Sequence, residues 1–191
     1  MKNKKIMAMA EVGVFAAIGF ALDLLANLYS GFFPFGGSVS LALIPIVILS
    51  FRRGPVLGVV CGLIVGLLDL TDGFYTVSDT WYNSILQIGM DYIFTYMLVG
   101  VVGVFKPLIK KIKPSILVMI ATFTAGILKY LCHFLSGILY WPEFPNQPIN
   151  ERIVYSLVYN GGYMIPTILI TTMIMFLISL KYKKLFLIEK E

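Results

Sequence analysis

The sequence predicts an all-α integral membrane protein: six transmembrane helices in one compact bundle, with the N- and C-termini cytoplasmic. Three observations lead there. Hydrophobic residues fill 59% of the 191 positions and charged residues only 13%, at a mean hydropathy of +0.88, whereas soluble domains carry about 25% charged residues. The apolar residues fall into runs near the ~20-residue length of a bilayer crossing. The basic residues are gathered in alternate connections between those runs.

The first run, about 6–28, follows the basic stretch "MKNKK" and contains no small-residue cleavage site, so it is expected to be a retained span. The second, about 38–51, is short, and so is the third, about 55–70. The fourth covers about 81–105, the fifth about 115–141 and the sixth about 153–180. No internal repeat or low-complexity segment is evident. The whole of 1–191 is expected to form a single six-helix transmembrane domain.

Orientation follows from Lys and Arg. Lys2, Lys4 and Lys5 precede the first span, Arg52 and Arg53 join the second to the third, Lys106, Lys110, Lys111 and Lys113 join the fourth to the fifth, and Lys181, Lys183, Lys184 and Lys190 follow the sixth. With six spans all of these lie on one side, which the positive-inside rule makes cytoplasmic. The opposite connections hold Asp72, Asp79, Glu143 and Glu151 with only Arg152 as a basic residue. The net charge of +5 therefore reflects topology and contact with anionic membrane lipid; it needs no nucleic acid.

Several chemistries find no support in the residues. Cys61 and Cys132 lie in predicted spans without metal spacing and read as small buried side chains. His133 is the only histidine, so a zinc centre is not expected, and no other metal or cofactor is called for. Neither a GxSxG elbow nor a GxxxxGK[ST] phosphate loop occurs. The chain is not expected to be an enzyme.

Polar residues inside spans are costly and mark functional sites by default. Here they are Glu11, Asp23, Asp69, Asp91, Lys129, His133 and Asn160. Glu11 and Asp23 are expected to be structural, paired in the bundle or reaching water near the span ends. His133 lies about 12 Å below the outer end of the fifth span, Asp91 about 15 Å down the fourth, and Asn160 at comparable depth in the sixth. The three are therefore expected to converge in the outer half of the bundle, among Trp81, Tyr92, Tyr130, Tyr140, Trp141, Tyr155, Tyr159 and Tyr163. A carboxylate, an imidazole, a carboxamide and aromatic faces suit a small, flat, cationic heteroaromatic ligand. The same Asp and His would also serve a proton relay, and the residues alone do not choose.

The segments "FRRGPVLGVVCGLIVGLLDL", "MDYIFTYMLVGVVGVF", "LKYLCHFLSGILYW" and "VYSLVYNGGYMIP" resemble the thiamine-specific substrate-binding subunits, or S components, of energy-coupling factor (ECF) vitamin transporters. The likeness runs in order from "AEVGVFAAIGF" through the sixth span. It implies a multi-pass substrate-binding domain in the cell membrane of a bacterium, capturing thiamine from outside. Uptake would be driven by an ECF transmembrane coupling protein and two ATPase subunits.

The resemblance also assigns residues. It places the family's acidic residue and tyrosine of the fourth span at Asp91 and Tyr92, and its histidine and following tryptophan at His133 and Trp141. The tyrosine and asparagine of "YSLVYN" become Tyr155 and Asn160, and an aromatic entering the fourth span becomes Trp81. A family tryptophan after the first span is missing; "GFFPFGGS" stands there, so Phe33 or Phe35 is expected to cover the site. Lys129, one turn below His133, is expected to form an ion pair or hydrogen bonds at the pocket floor without touching a cation. On the first helix, Gly13, Ala17 and Ala21 recur every four residues, a spacing that admits a close helix partner; packing inside the bundle would use it equally, but the resemblance implies docking on the coupling subunit. The alternatives are a subunit for a pyridoxine-type vitamin and a stand-alone proton-coupled carrier.

Overall fold

Apolar runs without internal hydrogen-bonding partners must become helices in a membrane, and among the described residues every regular element is a helix. The computed structural model of the chain describes residues 2–28, 30–33, 36–77, 80–140 and 147–186. Helix α1 spans Lys2–Asn27, α2 Leu43–Arg53, α3 Pro55–Asp72, α4 Trp81–Ile88, α5 Thr95–Gly100, α6 Pro114–Tyr140, α7 Ile149–Lys181 and α8 Lys183–Phe186. A π-helical turn, Gly89–Phe94, joins α4 to α5, and a 3-10 stretch, Val101–Lys110, continues α5.

Among the described residues, five helical segments are long and apolar enough to cross a membrane: Asn3–Asn27, Pro55–Asp72, Trp81–Lys110, Pro114–Tyr140 and Ile149–Lys181. The expected second span is not among them. Helix α2 has 11 residues, ~16 Å of helix against a hydrocarbon core of ~30 Å. It lies at the centre of the core: Leu43, Ile46, Val47, Leu49 and Phe51 are fully buried around its circumference, the pattern of a helix enclosed on all sides. Val65, Val99, Val102, Leu117, Val118 and Met175 close around it from the other elements. Outward, α7 presents Ile165, Leu169, Ile170, Met173 and Leu177, as a lipid-facing helix does.

The sharp corner between α2 and α3 has a local cause. Gly54 sits at φ 97 and its N–H bonds to the Ser50 carbonyl, ending α2, and Pro55 occupies the first turn of α3. Beside this corner one end of the bundle collects charge. Glu11 accepts from Arg52 Nε at 2.9 Å and from Arg53 Nε at 2.7 Å, Lys106 donates to the Arg52 carbonyl at 3.1 Å, and Arg52 reaches the Lys184 carbonyl at 3.4 Å. Glu11 is thus the structural pair expected of it, tying α1 to α2.

Three glycines of α3 set the distance to the next helices. A Cβ on Gly58 would lie 2.6 Å from the Gly100 carbonyl oxygen; one on Gly62 would overlap the Tyr96 carbonyl, and one on Gly66 the Tyr92 carbonyl. The α3 backbone therefore rests directly on the Tyr92–Gly100 segment. This close packing fixes the height at which the acidic side chain next to Tyr92 enters the bundle.

Candidate binding site

Three elements bring the central polar groups together. The π turn carries Asp91 and Tyr92; such turns widen a helix and re-aim the side chains on it. On α6, Lys129, His133 and Ser136 follow one another at helical spacings of four and three, so all face one side. On α7, Tyr155, Tyr159 and Tyr163 share a face, with Ser156 and Asn160 beside them.

The side chains interlock. Asp91 Oδ2 accepts from Ser136 Oγ at 2.7 Å, and Asp91 Oδ1 lies 3.2 Å from His133 Nδ1. His133 Nε2 lies 3.4 Å from Thr95 Oγ1, so the ring bridges Asp91 and Thr95. Asn160 Nδ2 donates to the His133 carbonyl at 3.3 Å and to Ser156 Oγ at 3.0 Å, while its Oδ1 accepts from Tyr163 at 2.5 Å. Ser156 in turn donates to the Phe134 carbonyl at 2.7 Å. Asn160 therefore fastens α7 to α6 as well as lining the space between them.

That space is a cavity of about 210 Å³, with Asp91, Tyr92, His133, Tyr155 and Asn160 in its wall. Tyr155 and Tyr159 stack with centroids 5.7 Å apart and planes 12° from parallel. The chain after α1 crosses beside them: Tyr159 donates to the Gly36 carbonyl at 2.9 Å. Gly37, at φ 103, leaves no room for a Cβ against the Tyr163 ring, so both backbone and space demand glycine there. From the other side, the Tyr75 N–H donates to Tyr92 at 2.8 Å and the Val77 N–H to Gln87 at 3.1 Å, pinning the α3–α4 connection over the wall.

Five of the expected site residues, Asp91, Tyr92, His133, Tyr155 and Asn160, thus converge on one cavity. Trp81 does not join them. It opens α4 at 76% exposure, edge-on to Tyr82, because α4 turns Gln87 inward and Trp81 to the outer surface. Phe33 packs edge-on against Tyr163 with centroids 5.4 Å apart, without lining the cavity. Phe35 and Trp141 lie outside the described residues.

The floor holds residues that sequence reasoning undervalued. Asp23 is buried at 4% exposure, accepts from Tyr96 at 2.7 Å and from Ser40, and lines the cavity. Asp69 and Lys129 line it too. Lys129 sits at the floor as expected, its ammonium 3.5 Å from the centre of the Tyr96 ring and within electrostatic reach of Asp23 and Asp69. Ser136 was legible in principle, three residues beyond His133 on the same face. In all, three carboxyl groups, one ammonium and one imidazole line the cavity.

The small residues of α1 divide. Ala16, Gly19 and Ala26 face the bundle, where Gly19 meets Val65 at 3.0 Å. Gly13, Ala17 and Ala21 are exposed, and nothing lies within 4 Å of a Cβ placed on Gly13.

Known proteins share this architecture. The chain is 28% identical over 197 aligned positions to the thiamine transporter ThiT of Bacillus subtilis, covering 99% of this chain and 98% of that one. It is 29% identical over 168 positions to ThiT of Lacticaseibacillus paracasei, covering 84% and 81%. A solved structure of ThiT from Listeria monocytogenes superposes with a TM-score of 0.78 at 25% identity, over 97% of this chain and 100% of that chain. Residues 9–187 match the thiamine transporter protein family (Thia_YuaJ), and with nearly the whole chain inside that match, this membrane protein belongs to the thiamine transporter family.

Proposed function

We propose that the chain is the substrate-binding subunit of an ECF-type transporter, which captures thiamine from outside the cell membrane for ATP-driven uptake and is not itself an enzyme. The observation that carries this reading is the Asp91–His133 contact at 3.2 Å in the wall of an aromatic-lined cavity. Thiamine is a cation with an aminopyrimidine ring. Asp91 would accept from the amino group or balance the positive charge, His133 and the Tyr155–Tyr159 stack would hold the rings, and Tyr92 and Asn160 would orient them. Trp141 and one of Phe33 and Phe35 complete the site as the family resemblance assigns it.

The same reading makes 1–191 a single six-helix domain with cytoplasmic termini. Helix α2, with the non-helical residues 38–42 that lead into it, becomes the sixth crossing. The exposed stripe Gly13, Ala17 and Ala21 becomes the docking face for a transmembrane coupling protein that carries two ATPase subunits.

Calorimetric titration of the purified chain with thiamine and with pyridoxine tests the ligand: saturable binding of thiamine supports it, and binding of pyridoxine alone replaces it. The Asp91–His133 pair also permits a proton-coupled carrier. Liposomes holding only this chain separate the two, because a carrier accumulates thiamine under a proton gradient and a binding subunit does not.

A further inference from the structure

We propose that Thr95 is a positioning residue of the thiamine site, holding the His133 imidazole in the plane in which the ligand meets it. The proposal rests on the reading of thiamine as ligand and deepens it. Thr95 opens α5 directly after the π turn, four residues beyond Asp91, and both side chains face α6. It is 0% exposed and does not line the cavity, so it does not touch a ligand there. Its Oγ1 lies 3.4 Å from His133 Nε2, while Nδ1 of the same ring lies 3.2 Å from Asp91. Ser136 on α6 holds the second oxygen of Asp91 at 2.7 Å. The imidazole is thus met at both nitrogens, with the Tyr163 ring edge-on to it at 5.8 Å.

The hydroxyl of Thr95 is used differently from those of its fellow buried threonines. A threonine inside a helix commonly returns its hydrogen to the carbonyl four residues back. Thr122, Thr167 and Thr171 do so at 2.8, 2.8 and 2.6 Å. Thr95 instead reaches across to the imidazole on α6. A histidine ring turns about a broad, roughly two-fold torsion, so an anchor at Nδ1 alone leaves its plane loosely set. A second anchor at Nε2 removes that freedom. A hydroxyl both donates and accepts, so Thr95 holds the ring whichever nitrogen bears the hydrogen. A ring fixed before the ligand arrives loses less freedom on binding, and affinity rises accordingly.

The chain has a single histidine, so in tag-free protein grown with isotope-labelled histidine the imidazole nitrogen resonances report this ring alone. Thr95→Val keeps the shape and removes the hydroxyl. Its imidazole resonances, recorded without ligand, should move from their wild-type positions, and thiamine affinity by calorimetry should fall about 3- to 10-fold. Thr95→Ser keeps the hydroxyl and should restore both. Thr122→Val removes a buried hydroxyl held by its own helix and should change neither. Unmoved resonances or wild-type affinity in Thr95→Val overturn the proposal. An affinity loss that Thr95→Ser fails to restore, or that Thr122→Val shares, overturns it as well, because general loosening of the bundle then accounts for the loss. Should Thr95→Val fail to fold, Thr95→Ala is read by the same outcomes. If wild type binds no thiamine, the thiamine reading falls and takes the role of Thr95 with it, whereas each outcome above leaves that reading intact.

Discussion

On α3, Gly58, Gly62 and Gly66 recur at every fourth residue and are all buried; on α1, Gly13, Ala17 and Ala21 recur at the same interval and are all exposed. Both helices are apolar enough to cross a membrane, and both patterns carry the small-residue spacing that admits a close partner. On α3 the partner is inside the chain, the backbone from Tyr92 to Gly100. On α1 no described residue fills the space, and the opposite face, through Ala16 and Gly19, makes the intramolecular contact. The spacing therefore admits a close helix partner without naming one; on α1 that partner belongs to the proposed function. The partner is decided by the atoms around each position, and one chain can use the device for folding and for assembly.

The sharpest way to break this comparison is to give each stripe a side chain it cannot hide. Gly62→Leu should be the most damaging single change. Its Cβ alone overlaps the Tyr96 carbonyl, and backbone cannot move aside as a flexible side chain does. Overpacking of this kind costs about 1–3 kcal/mol, occasionally more, and pries α3 from the segment that bears the site. Thermal unfolding in detergent should show a large drop in Tm or loss of monodispersity. An unchanged Tm would mean that α3 does not depend on this contact.

Asp91→Asn comes next. It keeps the shape and removes the charge, so loss of a charge-assisted hydrogen bond should weaken thiamine binding about 10- to 150-fold, or about 1.5–3 kcal/mol. Gly66→Ala sharpens the link between the two regions. Its methyl presses on the Tyr92 carbonyl, next to Asp91, and should copy part of the Asp91→Asn effect on affinity, about 10-fold, in a protein that still folds. If Gly66→Ala binds as wild type does, the α3 glycines support stability alone.

Smaller again is Glu11→Gln. Glu11 anchors the inward face of α1 to Arg52 and Arg53 at 2.9 and 2.7 Å, yet the site is partly exposed. About 1 kcal/mol of stability should be lost, with ligand affinity unchanged. A change in affinity would show that the position of α1 and the cavity are coupled.

Height along the helices was legible in the sequence; rotation about them was not. Asp91, His133 and Asn160 meet as their depths required, because rise per residue is fixed. Trp81 failed for the opposite reason. Its depth was adequate, but α4 turns it outward, and the π turn that follows breaks the 3.6-residue phase on which any facing argument depends. Asp23 was expected to pair inside the bundle or to reach water, and distance from a span end could not choose; Tyr96 and Ser40, remote in sequence, hold it inside. How deep α2 reaches was not legible either, since apolar runs look alike whether lipid or protein surrounds them.

The smallest effect on the isolated protein is also the most informative about assembly. Gly13→Trp and Ala17→Trp each place a large ring on the open stripe of α1, where the structure offers no clash at Gly13 and exposure at Ala17. Surface substitutions away from packed features usually shift stability by within about 0.5 kcal/mol, so Tm and thiamine affinity should hold. Glu11 and its arginines keep α1 in place from the other side. The same rings would hold a partner helix away from the stripe, because a small-residue contact has no room for an indole. Co-purification with the coupling protein and ATP-driven uptake should therefore be lost while binding persists. If Tm falls instead, the stripe packs within the bundle after all and α1 and α3 use their small residues alike. Uptake at the normal rate in the Gly13→Trp, Ala17→Trp double variant would place the docking face elsewhere on the molecule.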